Sequence, residues 1–408
     1  MQRGQNMKYR FRFFLFFAVM ILFNLAANFA HPVTPTIIQN LGLPDYMFGL
    51  MFAMMMVSNF LFSPFWGKIN TAISSRTTLL ISCVGYAAAQ LGFAYGTGQG
   101  VILAARTMAG IFVGGIYVSF LTYVINMAKP EDQGKFLTYS ATIQSVFGAF
   151  GYLVGGFLGE YSIRVTFLLQ VSALALAGVA FYFICLPDNL QTEKVPVKQI
   201  IRQSNPLQAF LDGRYFMTMA FCMLFAVNIL TNFGNTGFDQ VFNYYLKDQL
   251  ALTSSYNGLI KAAVGLISFV FNMTLCLWII RKTDTGKSMV VITAVCTAAS
   301  LGALLLPQIG MFMACSVLVY AGYSVSLPVL QHMVAEKADP VQKNLVMGFY
   351  NATKSLGSVI GSLMAGFLYG LHVKLPFFVV VFAYGISIMM AVGYLICEKR
   401  KEQSILSV

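Results

Sequence analysis

The run "FFLFFAVMILFNLAANFA" (13–30) is one of many apolar stretches that each hold enough residues to cross a hydrocarbon core. A core about 30 Å thick needs about 20 residues in helical form. Twelve such stretches are expected, at 13–39, 46–66, 77–96, 100–127, 136–160, 164–186, 214–238, 254–280, 288–306, 309–334, 345–369 and 375–397. They are continuous and do not alternate polar with apolar, so they predict membrane helices and not the strands of a barrel. Charged residues are only 10% of the chain and mean hydropathy is +0.73, which leaves little for a water-facing surface. The fold class is therefore an all-α polytopic membrane protein. The first stretch is too long, and too polar at its end, for a cleavable signal, and is expected to remain.

The net charge of +12 would suit a nucleic-acid binder, but its placement follows the membrane instead. With the N-terminus inside, 20 of the 26 basic residues fall in inside loops and tails, and Arg164, Lys247 and Lys374 fall outside. That asymmetry predicts cytoplasmic termini in a plasma (inner) membrane, with the bilayer as partner and no nucleic acid. Three cations are left within the spans: Arg106, Lys261 and Lys354. The seven cysteines show no CxxC pairing and are expected to be buried thiols. His31, His332 and His372 stand too far apart to suggest a metal site, and no cofactor is expected.

A mixed-charge segment, 187–213, divides the chain into 1–186 and 214–408, with six spans in each part. It is expected to be a central cytoplasmic loop. In the first span Asn24, Asn28 and His31 form a polar stripe on one helix face. Asn228, Asn232 and Asn235 match it at an offset of 204 residues, with Asp239 on the same face. "SVFGAFGYLVGGFL" (145–158) lies over "SLGSVIGSLMAGFL" (355–368) at an offset of 210, and Gly49-Leu50 over Gly258-Leu259 at 209. Parallel half-repeats of this kind suit a secondary transporter with a mid-depth site between its halves. Membrane asparagines also serve as ties between helices, worth about 0.6 kcal/mol each. The repetition favours the cavity.

Several motifs resemble those of the major facilitator superfamily, and the resemblance extends over essentially the whole chain. "RTMAG" matches its Arg-x-x-x-Gly motif through Arg106 and Gly110. Gly151, Gly155 and Gly156 match its glycine-rich antiporter motif, although Tyr152 stands where proline is expected. "GKINTAISSR" keeps Gly67 and Arg76 of the gating-loop motif, while Thr71, Ala72 and Ser74 replace its aspartate, arginine and glycine. The resemblance implies two pseudo-symmetric six-helix bundles, working by alternating access as a monomer. The spacing of Gly151 with Gly155, and of Gly361 with Ala365, also makes close packing surfaces. "TDTGKS" shares the end of a phosphate-binding loop, but Arg281 occupies the place of its first glycine and no strand precedes it. No enzyme site can be assembled from the motifs.

Buried cations cost about 2.5–3.5 kcal/mol each on insertion scales, so the three need partners or a wet cavity. Asp239 is the one credible acid within the spans, and it is open to pairing with Lys354 or Lys261 while Arg106 satisfies carbonyls. The excess of positive charge predicts a small organic anion, such as a carboxylate, as substrate, coupled to protons or to a counter-anion. Lys261 and Lys354 resemble the paired cations of organic-anion members of the family. Tyr123, Tyr320 and Tyr323 are candidates for orienting it. The alternative is multidrug efflux by proton antiport, with the Met-rich "MFAMMMVSNF" (51–60) as an adaptable lining.

Overall fold

The computed structural model describes residues 2–188, 204–205, 207–306, 308–339 and 343–406. Most of the expected central loop, with Lys194, Lys198 and Arg202, lies outside the described residues. The helices are α1 (Gln2–Ala27), α2 (Thr34–Asn40), α3 (Met47–Ile73), α4 (Ser75–Tyr95), α5 (Gln99–Met127), α6 (Pro130–Tyr161) and α7 (Ile163–Ile184). After a short α8 (Gln208–Asp212) come α9 (Met219–Asp248), α10 (Ser254–Phe271), a π-helical turn (Asn272–Cys276) and α11 (Leu277–Lys282). The last four are α12 (Thr285–Leu305), α13 (Ile309–Lys337), α14 (Lys343–Leu371) and α15 (Leu375–Leu406). No strand occurs among the described residues.

Eleven helices among the described residues are long and apolar enough to cross a membrane. The twelfth expected span, α14, has 29 residues but is diluted by Asn, Ser, Gly and Lys354. Its polar composition sets it apart from the others.

The first span departs from expectation. A continuous helix was expected over 13–39, but α1 ends at Ala27 and turns occupy 28–33 before α2 begins. Pro32 and Pro35 each lack an amide hydrogen, and a proline disfavours helical geometry in the residue before it. The carbonyls at this break are met within the turn and by side chains: the Phe29 amide donates to Ala26 at 3.1 Å. Gln170 of α7 donates to the carbonyls of Ala26 (2.9 Å) and Ala27 (3.3 Å), and the Tyr86 hydroxyl of α4 donates to Ala27 (3.2 Å). Backbone polar groups left unmet in lipid cost several kcal/mol each, so these two side chains make the break tolerable.

Two compact units result, and neither is one of the sequence halves. The first comprises residues 1–43, 54–206 and 246–265, and the second 44–53, 207–245 and 266–408. In the first, α1, α4, α5 and α7 bury Phe16, Phe23, Leu79, Phe120, Leu174 and Phe181. Tyr123 lies in the same core, with its ring centroid 4.9 Å from that of Phe16, so it is a packing residue here. Met55 also belongs to that core. In the second unit Phe238, Phe242, Phe312, Tyr320 and Phe377 form one aromatic cluster. The cysteines are less uniform than expected: Cys83, Cys185, Cys276 and Cys296 are buried, whereas Cys222 is exposed.

Candidate functional site

The break in α1 decides where the first polar stripe goes. Asn24 is helical and buried, and its amide donates to the Met20 carbonyl at 2.8 Å. Asn28 and His31 lie in the turns beyond, so the three residues do not share one helix face. Asn28 donates to the Asn24 carbonyl at 2.9 Å. His31 stacks on the ring of Tyr152 from α6, with centroids 5.3 Å apart and planes 9° apart. Tyr152, which departs from the antiporter motif, thus provides an aromatic platform. Lys261 of α10 sits over the same ring, its Nζ 5.8 Å from the centroid, and is buried.

Arg106 is also buried in this first unit, and it does not satisfy backbone carbonyls as expected. Its guanidinium carbon lies 3.8 Å from the centroid of Phe93, one of its terminal nitrogens donates to Thr34 Oγ1 at 3.3 Å, and its Nε has no partner. Aromatic stacking suits a guanidinium that must leave water, since the ring face is negative. No carboxylate pairs with it among the described residues.

The glycines expected in gating or packing make close approaches. A Cβ on Gly155 would lie 2.3 Å from the Phe29 carbonyl oxygen, and one on Gly151 would lie 2.4 Å from that of Leu25. Gly110 meets the Met55 carbonyl in the same way, whereas Gly67 has room for a side chain. In the gating-loop segment Ser74 takes φ 73° and ψ 144°, a conformation that suits the glycine expected there. Arg76 places its guanidinium carbon 5.0 Å from the ring centroid of Tyr182.

In the second unit the polar stripe ties helices together. Asn228, fully buried, donates to the Tyr350 carbonyl (2.8 Å) and Thr353 Oγ1 (2.9 Å) of α14. Asn232 donates to the carbonyl of Asn228 (2.8 Å), and its own Oδ1 accepts from the Tyr323 hydroxyl of α13 at 2.7 Å. Asn235 is half-buried and its Oδ1 has no partner. Asp239 accepts from the Tyr320 hydroxyl at 2.9 Å. Lys354 is half-buried, with no ion pair or side-chain hydrogen bond among the described residues. Of the two partners expected for Asp239, Lys354 does not pair with it.

Contacts between helix backbones keep the register of the two stripes. Gly155 meets the Phe29 carbonyl as Gly361 meets that of Phe233, and Gly151 meets that of Leu25 as Gly357 meets that of Ile229. The α1 and α9 residues in these contacts keep the offset of 204 read in the sequence, whereas the glycines of α6 and α14 pair at 206 and not at 210. Asn28 then corresponds to Asn232, and both donate to a carbonyl four residues earlier. Gln170, Tyr86 and Gln90, whose amide donates to the Tyr86 hydroxyl at 3.0 Å, were missed by sequence reasoning; a lone glutamine within each of two apolar spans was the available signal.

The model of the Major Facilitator Superfamily matches residues 14–310 and again 224–407. The chain belongs to the Major Facilitator Superfamily. It is accordingly a multi-pass secondary transporter of small molecules and not an enzyme. This facilitator is 22% identical over 401 residues to the quinolone resistance protein NorA of Staphylococcus aureus, covering 96% of this chain and 98% of that one. Its fold is similar to that of a bacterial homologue of the human lysosomal transporter Spinster in an inward-facing conformation (TM-score 0.74, 12% identity, 96% and 97% covered). It is similar also to the human organic anion transporter MFSD10 (TM-score 0.67, 16% identity, 94% and 99% covered).

Proposed function

We propose that this transporter moves a small organic anion across the plasma membrane by alternating access, with both termini cytoplasmic and residues 1–186 and 214–408 as its two moving halves. The observation that carries the reading is Arg106, buried without a carboxylate partner among the described residues. A guanidinium in that setting gains most from an incoming negative charge, because little water competes for it. Lys354, without a partner in the second unit, adds to the same attraction. The name of MFSD10 agrees with this cargo, although the likeness is one of fold. Asn24, Asn28, His31, Asn228, Asn232, Asn235, Asp239 and Lys261 are proposed to surround the path. Protons or a counter-anion would drive the cycle.

Efflux of drugs is the second reading, favoured by the match to NorA along nearly the whole chain. Purified protein in liposomes separates the two. Uptake of radiolabelled carboxylates, with and without a pH gradient, is expected for the wild type and lost in Arg106→Gln. Transport of neutral and cationic dyes, unaffected by Arg106→Gln, would establish the second reading in its place.

A further inference from the structure

Away from the polar stripes, the second unit holds a groove of about 380 Å³ between the π-helical turn with α11, α12 and α13. Its walls are apolar, including Phe271, Leu275, Val291, Val295, Leu318 and Val325. Trp278, at its edge, is 56% exposed. From Phe271 to Thr283 the floor runs about 18 Å at helical rise, comparable to one leaflet of a core about 30 Å thick. The π-helical turn lies beneath it. Such turns add a residue to the helical repeat, bulge the backbone and recur at functional sites.

The groove ends in a different chemistry. Thr283 and Ser288 face each other there with their hydroxyl oxygens 2.9 Å apart, and Lys287 completes the lining. Arg281 and Lys282 lie beside them, both exposed. Asp284 is the acid next to these residues in the chain, and it is occupied. It caps α12 through the Lys287 amide at 3.1 Å and pairs with the Lys287 ammonium at 3.3 Å. Glu336 of α13 lies close by, sharing a lining with Thr285, while Lys337 and Glu398 there pair with each other. Arg281, Lys282 and Lys287 against Asp284 and Glu336 still leave this end positive. An apolar slot of leaflet depth, closed by basic and hydroxyl groups at one end, matches a molecule with a hydrocarbon tail and an anionic head.

We propose that the groove binds one anionic phospholipid, with an acyl chain along α11 to α13 and its phosphate among Arg281, Lys282, Lys287, Thr283 and Ser288. Charge separates this site from the ordinary lipid annulus. A zwitterionic lipid with the same chains fills the slot equally well but gains nothing net from the cations. The inference is independent of which cargo the transporter carries.

The test is native mass spectrometry of the purified full chain in mild detergent, titrated with phosphatidylglycerol or with phosphatidylcholine of identical acyl chains. One phosphatidylglycerol per chain is expected, bound about tenfold more tightly than phosphatidylcholine. The triple change Arg281→Gln, Lys282→Gln and Lys287→Gln alters exposed side chains, and should abolish the preference while the elution profile and helical content stay unchanged. Val291→Trp should fill the slot and displace both lipids. Val295→Trp on the same wall and Leu318→Trp on the opposite one give the same readout if that variant fails to fold. Equal binding of the two lipids, an undiminished preference in the triple variant, or full retention in the tryptophan variants would each overturn the proposal.

Discussion

Asp188 caps α4 from more than a hundred residues away: its Oδ1 accepts the Ser75 amide and its Oδ2 the Ser75 hydroxyl, both at 2.7 Å. The Asn126 amide donates to the same carboxylate at 3.3 Å. In the second half the corresponding helix start is capped locally, by Asp284 on α12. The gating loop carries Thr71 where the resemblance leads one to expect an aspartate, and an acid following α7 caps α4.

Asp188→Ala should lower the stability of the purified protein by about 1–3 kcal/mol, because three donors lose a buried, charged acceptor. Thermal unfolding in detergent checks this. A melting temperature equal to that of the wild type would mean that water replaces the carboxylate at no cost.

Ser74 offers the opposite case. Its positive φ strains a residue with a Cβ, and its hydroxyl is buried without a partner. Ser74→Gly should raise stability by about 1 kcal/mol, the relief of strain exceeding the added freedom of the unfolded chain. Destabilisation in the same unfolding assay would show that the strain is negligible.

Gly155→Val and Gly361→Val should abolish accumulation of folded protein, since even a Cβ would meet a backbone carbonyl oxygen at 2.3 Å. Gly385→Ala, with open space around it, is the control and should behave as wild type. Quantitative blotting of membranes distinguishes the outcomes.

Lys354→Gln should leave the amount of folded protein unchanged and reduce anion uptake at least tenfold, as loss of one favourable charge of about 1.4 kcal/mol would. A fall in stability that is restored by adding Asp239→Asn would instead show the lysine and the acid to be coupled. Full uptake by Lys354→Gln would remove this lysine from the path.

Asp284 gives a pH dependence. Burial raises its pKa, but the Lys287 amide and ammonium outweigh that and hold it below its ordinary value of 3.8. A carboxylate lowered in the folded state contributes stability that is present above its unfolded pKa and lost as pH falls through the folded one. The stability gap between wild type and Asp284→Asn should therefore be constant from pH 7 to 5 and narrow below pH 4. A gap that is the same at pH 7 and pH 3 would rule the linkage out.

Much of the architecture was legible because membrane spans need only length and apolarity, and α3 to α7 follow the expected stretches closely. The break at 28–33 was announced by Pro32 and Pro35, but the apolar run around them hid it. The repeat was visible, and the carbonyls beneath Gly155 and Gly361 keep the offset of 204 between Phe29 and Phe233, while the glycines above them stand 206 and not 210 apart. Arg106, Lys261 and Lys354 were conspicuous as charges in apolar runs, whereas Phe93 and Tyr152, which lie against two of them, look in sequence like any other membrane aromatic. Asp188 was hidden by distance along the chain.

The interrupted first helix makes the two corresponding spans mechanically unlike. α9 is a single rod of 30 residues, about 45 Å long, so a push at one end arrives at the other. Its counterpart is jointed at 28–33, and a tilt of α2 can be absorbed there. His31 sits on that joint, and its stacking partner Tyr152 belongs to a different helix. The stacked pair therefore ties the jointed segment to α6, whereas the corresponding stretch of α9 is continuous helix.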